Sequence, residues 1–186
     1  MQQQGIPRYA YTKWSQYYKK GDGYLCFAGA TDPFSNWYPA PIVATYNDKL
    51  VHFNSSEQAL MYAKAILFKD NEIAQLILTT NNQKDIREYR RKIKNYDDNT
   101  WSAQRQATMI NILILKFEQN HHLLSLLLDT HDDILIEASP WDKIWGVGKK
   151  PETITANKTT WNGTNLLGYS LMEARTRLAK RFYVME

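Results

Sequence analysis

Residues 55–68 carry a pattern that a helix would sort onto one face. At about 3.6 residues per turn, positions 57, 60, 61, 64, 67 and 68 share a stripe, and they hold Glu57, Leu60, Met61, Lys64, Leu67 and Phe68. An acid and an amine interrupt an otherwise apolar face. Ser55 is the expected N-cap, and Gln58 three residues on completes a pairing in which hydroxyl and amide reciprocally satisfy free backbone N–H groups. Upstream, residues 24–27 predict a short strand and residues 29–41 an ordered loop whose backbone is set by Pro33, Pro39 and Pro41. Residues 42–46 and 49–53 are two extended runs about a turn at Asn47-Asp48, a hairpin that delivers the chain to Ser55.

Downstream, residues 71–78 and 84–93 are helical by composition. Asp98 or Asn99 then caps a longer helix through Trp101, Met109, Leu113 and Phe117, a core-like spacing that ends near Asn120. A short helix over 121–129 and a strand over 134–136 lead into Glu137-Ala138-Ser139-Pro140-Trp141-Asp142, where a second functional loop begins. Residues 149–160 have no clear period, and residues 164–182 close the chain as a helix. No internal repeat and no Pro- or Ser-rich linker divides the chain. One domain over 24–182 is therefore expected, behind an N-terminal extension over 1–23.

Composition narrows the classes. With 186 residues and 44% hydrophobic content, the chain can bury a sizeable core. No apolar run approaches the roughly 20 residues needed to span a bilayer, and no signal-like apolar region opens the chain, so no membrane partner is expected. One cysteine, Cys26, makes no internal disulfide, and a cytoplasmic address follows. Lys and Arg exceed Asp and Glu by 23 to 19, a mild basic excess that fits phosphate-bearing partners without requiring them.

Two stretches bear on such partners. The extension sets Tyr9, Tyr11, Trp14, Tyr17 and Tyr18 among Lys13, Lys19 and Lys20, a composition that suits base stacking and equally suits packing onto the domain. Packing is the reading favoured here, because no nucleic-acid-binding motif accompanies it. Residues 84–94 hold Lys84, Arg87, Arg90, Arg91, Lys92 and Lys94 against Asp85 and Glu88, which offers a positive surface to a phosphate chain or simply a solvated helix face.

Several chemistries are not indicated. His121, His122 and His131 lack partners at metal-ligand spacing, and one cysteine cannot build a Cys-rich zinc site, so no metal is expected. Phosphate-cradling and dinucleotide glycine motifs are absent, as is the G-x-S-x-G turn of a serine nucleophile, and no cofactor is expected. The candidates reduce to carboxylates, lysines and polar residues near aromatic walls.

Four blocks in register now carry a resemblance. Phe34-Ser35-Asn36-Trp37-Tyr38-Pro39, Ser56-Glu57-Gln58 with Lys64 beyond it, Glu137 through Gly146, and Trp161 through Gly168 with Leu171-Met172 together resemble the NADAR (YbiA-like) superfamily, from about Tyr24 to Leu178. The resemblance implies a compact α+β fold, a mostly helical single domain with a small antiparallel sheet. It also implies N-glycosidase chemistry, the cleavage of a C–N bond between a ribose carbon and an amine or base. The substrates it implies are ADP-ribose attached to guanine, in nucleic acid or as a nucleotide, or ribosylamino-pyrimidine phosphate intermediates of riboflavin synthesis. A reading from another class is a non-catalytic ADP-ribose or nucleic-acid binding module that uses the basic helix and the aromatic extension.

Such a reaction needs a group to stabilise or capture an electron-poor anomeric carbon and a proton donor for the departing nitrogen. Glu57 and Lys64 are the expected pair, about 10.5 Å apart along the axis at about 1.5 Å per residue yet only about 20° short of two full turns. Leu60 and Phe68 would disfavour the ammonium form of Lys64 and so make it a nucleophile. A Schiff-base route at Lys64 and an oxocarbenium route with activated water both fit. The plainer alternative is that Glu57 only complements the helix dipole and Lys64 only snorkels.

Asp142 is the third expected catalytic residue, able to bond ribose hydroxyls or orient Lys64; otherwise it is a turn-forming Asp. Trp101 and Trp145 are expected pocket walls, and Asn36, an amide in a proline-fixed loop, is an expected reader of base or ribose. Ser139, Gly146 and Asn165 join the substrate-binding set by their places in the blocks, with Gly163 and Gly168 flanking Asn165 where backbone approaches another element closely. The chain departs from the family at Gln58, where His is often expected, so a proton shuttle there is lost. Trp141 is bulkier than expected at the pocket rim.

Overall fold

The computed structural model describes residues 19–21 and 23–183; the aromatic and basic stretch over 1–18 lies outside them. β2 (Tyr24–Phe27) is central to a three-stranded sheet. Its Leu25, Cys26 and Phe27 are all buried, as expected of a strand covered on both faces. β1 (Lys19–Gly21) pairs with it antiparallel, and β5 (Ile134–Glu137) pairs with it parallel, with Phe27 opposite Glu137. The edge strand thus comes from within the segment read as an extension. The antiparallel ribbon read from the sequence is β3 (Ile42–Tyr46) and β4 (Lys49–Phe53), turning at Asn47 and Asp48 with φ of 47° and 60°, the left-handed pair a two-residue hairpin requires.

Six α-helices among the described residues pack around these strands. α1 (Ser56–Leu67) starts at Ser55, whose hydroxyl accepts from Gln58 N at 3.2 Å. Gln58 does not return the bond to its cap. Its Oε1 accepts from Asn54 N at 2.7 Å, while its Nε2 donates to the carbonyls of Ile77 and Thr80. It thereby fastens α1 to the end of α2 (Asn71–Leu78), and the reciprocal cap is replaced by a tertiary tie. Every residue from Ser56 to Tyr62 is buried, so the first half of α1 lies inside the protein rather than presenting one wet face.

α3 (Gln83–Lys92) buries only Ile86 and leaves its arginines on the surface. Asp70 caps α2 and also accepts from Lys94 N at 2.9 Å, which fixes where the chain leaves α3. α4 (Asp98–Gln119) begins one or two residues earlier than a cap at Asp98 or Asn99 would place it, because Asp97 is the cap and accepts from Thr100 N at 2.7 Å. α4 packs against α1 and against α6 (Leu166–Tyr183), with α5 (His121–Leu128) closing the far end. Met109, Leu113, Phe117, Leu171 and Leu178 form the shared core. α6 also rests on β5. A Cβ on Gly168 would lie 2.1 Å from the Leu135 carbonyl oxygen, so only glycine permits this approach.

Between β2 and β3 the chain crosses the molecule as a loop stapled from below. Lys116 of α4 is fully buried, and its Nζ donates to the carbonyls of Pro33 at 2.7 Å and Ser35 at 3.0 Å. Phe34 packs between Phe27 and Phe117. The loop is therefore part of the core, and its Asn36 and Trp37 are held at the mouth of a cleft.

Candidate active site

A cleft of about 780 Å³ opens between this loop, the start of α1, the exposed face of α3 and the chain that follows β5. Glu57 enters it from the first turn of α1. Its backbone N donates to the Asn36 carbonyl at 2.9 Å, so loop and helix are locked together at this point. Glu57 is 6% exposed. Burial pushes its carboxyl up to about 7, Asp142 adds to the rise, and Arg90, Arg87 and Lys64 oppose it. A carboxyl poised near neutrality can both give and take a proton.

A second carboxyl stands beside it. Glu137 ends β5, and its position follows from the parallel register that sets it against Phe27. Burial pushes it up to about 8, with the negative charges of Asp142, Glu57 and Asp32 acting in the same direction. Its Oε2 is buried and has no hydrogen-bond partner in the protein. Asn36 Oδ1, which faces the same cleft, is likewise buried and unpartnered. Two buried polar atoms without protein partners, an amide oxygen and a carboxyl that holds its proton near neutrality, suit a ligand with both donors and acceptors.

Asp142 lines the cleft, and one of its oxygens also builds the turn: Oδ1 accepts from Ile144 N at 2.9 Å and Trp145 N at 2.8 Å. The two readings of Asp142 are thus not exclusive. Ser139 lines the cleft too, its hydroxyl accepting from Asp142 N at 3.2 Å. Gly146 lies beneath this loop, where a Cβ would come within 3.0 Å of the Asp142 and Glu137 carbonyl oxygens. It shapes the loop and does not line the cleft.

Lys64 opens onto a neighbouring cleft of about 670 Å³. Arg90, Trp141, Asp142 and Trp145 line both, so the two are lobes of one groove. Lys64 Nζ stands 4.0 Å from the Tyr96 ring centroid and 5.5 Å from that of Trp101. Phe68 backs Tyr96 edge-on at 5.3 Å. Desolvation and then the Arg90 charge lower the Lys64 pKa, against Asp98 and Glu57. The apolar wall is aromatic: Tyr96 and Trp101 supply it, with Phe68 behind, while Leu60 is turned into the core.

Trp101 and Trp145 thus both border the second lobe, and Trp141, 92% exposed, stands at the junction of the two. Asn165 belongs elsewhere. It is fully buried, its Nδ2 donates to the Leu135 carbonyl at 2.9 Å, and its Oδ1 accepts from Glu137 N at 3.0 Å. Fully buried and tied at both ends of its amide to β5, it lines neither lobe; it positions the strand that carries Glu137. Gln58 also points away from the groove, so the site expected to lack a shuttle does not face the substrate. Glu137, Arg87 and Arg90 are the additions. Arg87 sits 4.9 Å from the Trp37 ring centroid, and Glu137 opens one of the four blocks of the sequence without having been given a role there.

A helix-rich α+β domain with two carboxyls held near neutrality beside a desolvated lysine is a fold and site suited to acid-base cleavage of a polar bond. The chain belongs to the NADAR domain family, whose pattern matches residues 24–179. It is 34% identical over 171 residues to protein irg-1 of Caenorhabditis elegans, covering 85% of this chain and 81% of that one. A protein of Acanthamoeba polyphaga mimivirus named as an N-glycosidase is 33% identical over 162 residues, 83% of this chain and 95% of its own length. Among solved structures, the NMR structure of YbiA from Escherichia coli superposes with a TM-score of 0.69 at 26% identity, over 91% of this chain and 93% of that one.

Proposed function

We propose that this protein cleaves the ribose C–N bond of ADP-ribosylated guanine, carried on nucleic acid or on a nucleotide. The wider activity, hydrolysis of N-glycosyl bonds, comes with its kinship to relatives named as N-glycosidases. The observation that supports the particular substrate is the pair of joined lobes. A ribosylamino-pyrimidine phosphate has one nucleoside-sized body and would fill one lobe, since a site of about 300–1,000 Å³ suffices for a small ligand. An ADP-ribosyl guanine has two such bodies joined by a diphosphate. The lobes offer two spaces with Arg90 between them and Trp141 at the junction, where a base can stack.

In this reading Lys64 Nζ attacks the anomeric carbon as its bond to the guanine nitrogen breaks. Glu57 gives its proton to the departing nitrogen and becomes a carboxylate. The sugar, now a glycosylamine on Lys64, opens to an iminium, which water hydrolyses with Glu57 as base, releasing ADP-ribose and restoring the amine. The Asp142 charge helps to keep Glu57 protonated until the bond breaks.

The test is incubation with guanine-ADP-ribosylated nucleic acid and, separately, with ribosylamino-pyrimidine phosphate. Release of ADP-ribose from the first, lost in Lys64→Ala, and a borohydride-trapped sugar adduct mapped to Lys64 are the expected results. Turnover of the pyrimidine compound alone would move the substrate to the riboflavin side. Release from neither would overturn the reading.

A further inference from the structure

Arg90 gives and takes no proton and forms no bond in the steps above, yet it occupies the centre of the groove. It projects from α3 into both lobes. Its Nη1 lies 3.7 Å from Glu57 Oε1, with 42% of the arginine side chain exposed against 8% of the glutamate. At that distance the contact is an attraction between charges without a hydrogen bond. Among the described residues it is the ion pair of Glu57. The guanidinium, with five N–H donors in a planar fork, is thus weakly engaged by its protein partner and open to the groove, the arrangement a phosphate can take over with two parallel bonds.

What a phosphate would leave behind is set by the other charges around Glu57. Arg87 shares α3 with Arg90, Lys64 stands two turns along α1, Asp142 faces Glu57 from the loop after β5, and Glu137 faces it from the end of β5. Arg90 outweighs Arg87 and Lys64 among the cations acting on Glu57. If its charge is neutralised, a deeply buried carboxylate is left facing two other carboxyls. Its cheapest response is to take a proton from water.

We infer that Arg90 is a phosphate-operated switch on Glu57: a phosphate of the substrate draws the guanidinium away, and Glu57 takes up the proton that it then delivers to the leaving group. A seated anionic substrate shifts Glu57 toward the acid, and an empty groove leaves it divided near neutral pH between the acid and the carboxylate that faces Arg90. The exchange also removes from Lys64 the charge that, after burial, does most to lower its amine's pKa, while the larger cause, burial, stays in place. The inference rests on the reading of Glu57 as the acid of a phosphate-bearing substrate, but it requires no turnover, so it can fail or hold independently of that activity.

The test follows Glu57 directly. Carbon-13 NMR of glutamate-labelled protein, with the Glu57 signal assigned by Glu57→Gln, gives its titration midpoint in inorganic pyrophosphate and in sodium chloride of matched ionic strength. Pyrophosphate is expected to raise the midpoint by about one pH unit or more, a tenfold change in proton affinity. In Arg90→Gln the midpoint is expected to be raised already in chloride and to stay there in pyrophosphate. Arg90→Lys, which keeps the charge but loses the fork, is expected to keep the lower midpoint in chloride, and it serves if the glutamine variant fails to fold. A midpoint that pyrophosphate leaves where chloride leaves it, or that shifts as far in Arg90→Gln as in the wild type, overturns the switch.

Discussion

Replacing Lys116 with methionine removes a buried amine from beneath the loop that carries Asn36 and Trp37 and leaves a side chain of similar shape. The wild-type amine is fully buried, and burial lowers its pKa from 10.5 to about 7, with Asp32 opposing the fall. Folded Lys116 therefore gives up its proton near pH 7, whereas the unfolded chain holds it to about 10.5. Between those values the unfolded state binds more protons, so this group makes stability rise with pH. At about 1.4 kcal/mol per pH unit the whole effect is bounded at about 5 kcal/mol.

The methionine variant has no such dependence, but it leaves the Pro33 and Ser35 carbonyls without their donor, at about 1–3 kcal/mol each. Urea unfolding at about pH 9 should find the variant less stable than wild type by a few kcal/mol, and at about pH 6 that gap should close or reverse. Turnover should fall at both values, since the loop that receives the Glu57 N–H loses its staple. Stability curves that run parallel across this range would mean that Lys116 keeps one charge state throughout, and the argument from burial would be refuted.

Glu57→Gln should keep the fold and lose about 10²–10⁴ in rate, and with it the decline in wild-type kcat/KM that is expected as pH rises through about 7 and the acid form disappears. Glu137→Gln should act on stability: the folded carboxyl holds its proton to about 8 against 4.5 when unfolded, so wild-type stability falls as pH rises between them. Thermal denaturation should therefore find this variant more stable than wild type at about pH 9 and equal to it at about pH 4; a less stable variant at the higher pH would contradict the assignment. Trp141→Ala should leave the melting temperature unchanged, because the ring is 92% exposed, while KM for a base-bearing substrate rises about 5- to 150-fold, the value of one stacked base.

The parts of this site that could be read from sequence are those whose cause is local. Ser55 caps α1 through its own N3 amide, and Asn47-Asp48 turns the hairpin through its own backbone angles, so each was legible within a few residues. Glu57 was legible for the same reason, as an acid in the first turn of a helix. Glu137 was not: its burial comes from β5 lying parallel to β2, a pairing between strands far apart in the chain, which no short window encodes.

Lys116 was hidden differently. It is the single lysine of α4, and a lysine on a helix reads as snorkelling to solvent until a carbonyl 83 residues away is brought to it. The basic run of α3 left open whether it was a surface stripe or a phosphate site, and the answer differs along the helix: Lys92 pairs with Glu88 at the surface, while Arg87 and Arg90 line the cleft. Asn165 shows the converse. Its place between two glycines near the other blocks pointed to substrate, but a buried amide must find partners for both its ends, and β5 supplied them first. Asn36 Oδ1 and Glu137 Oε2, buried in the same cleft, find no partner in the protein, and a ligand that bonds both would meet that rule.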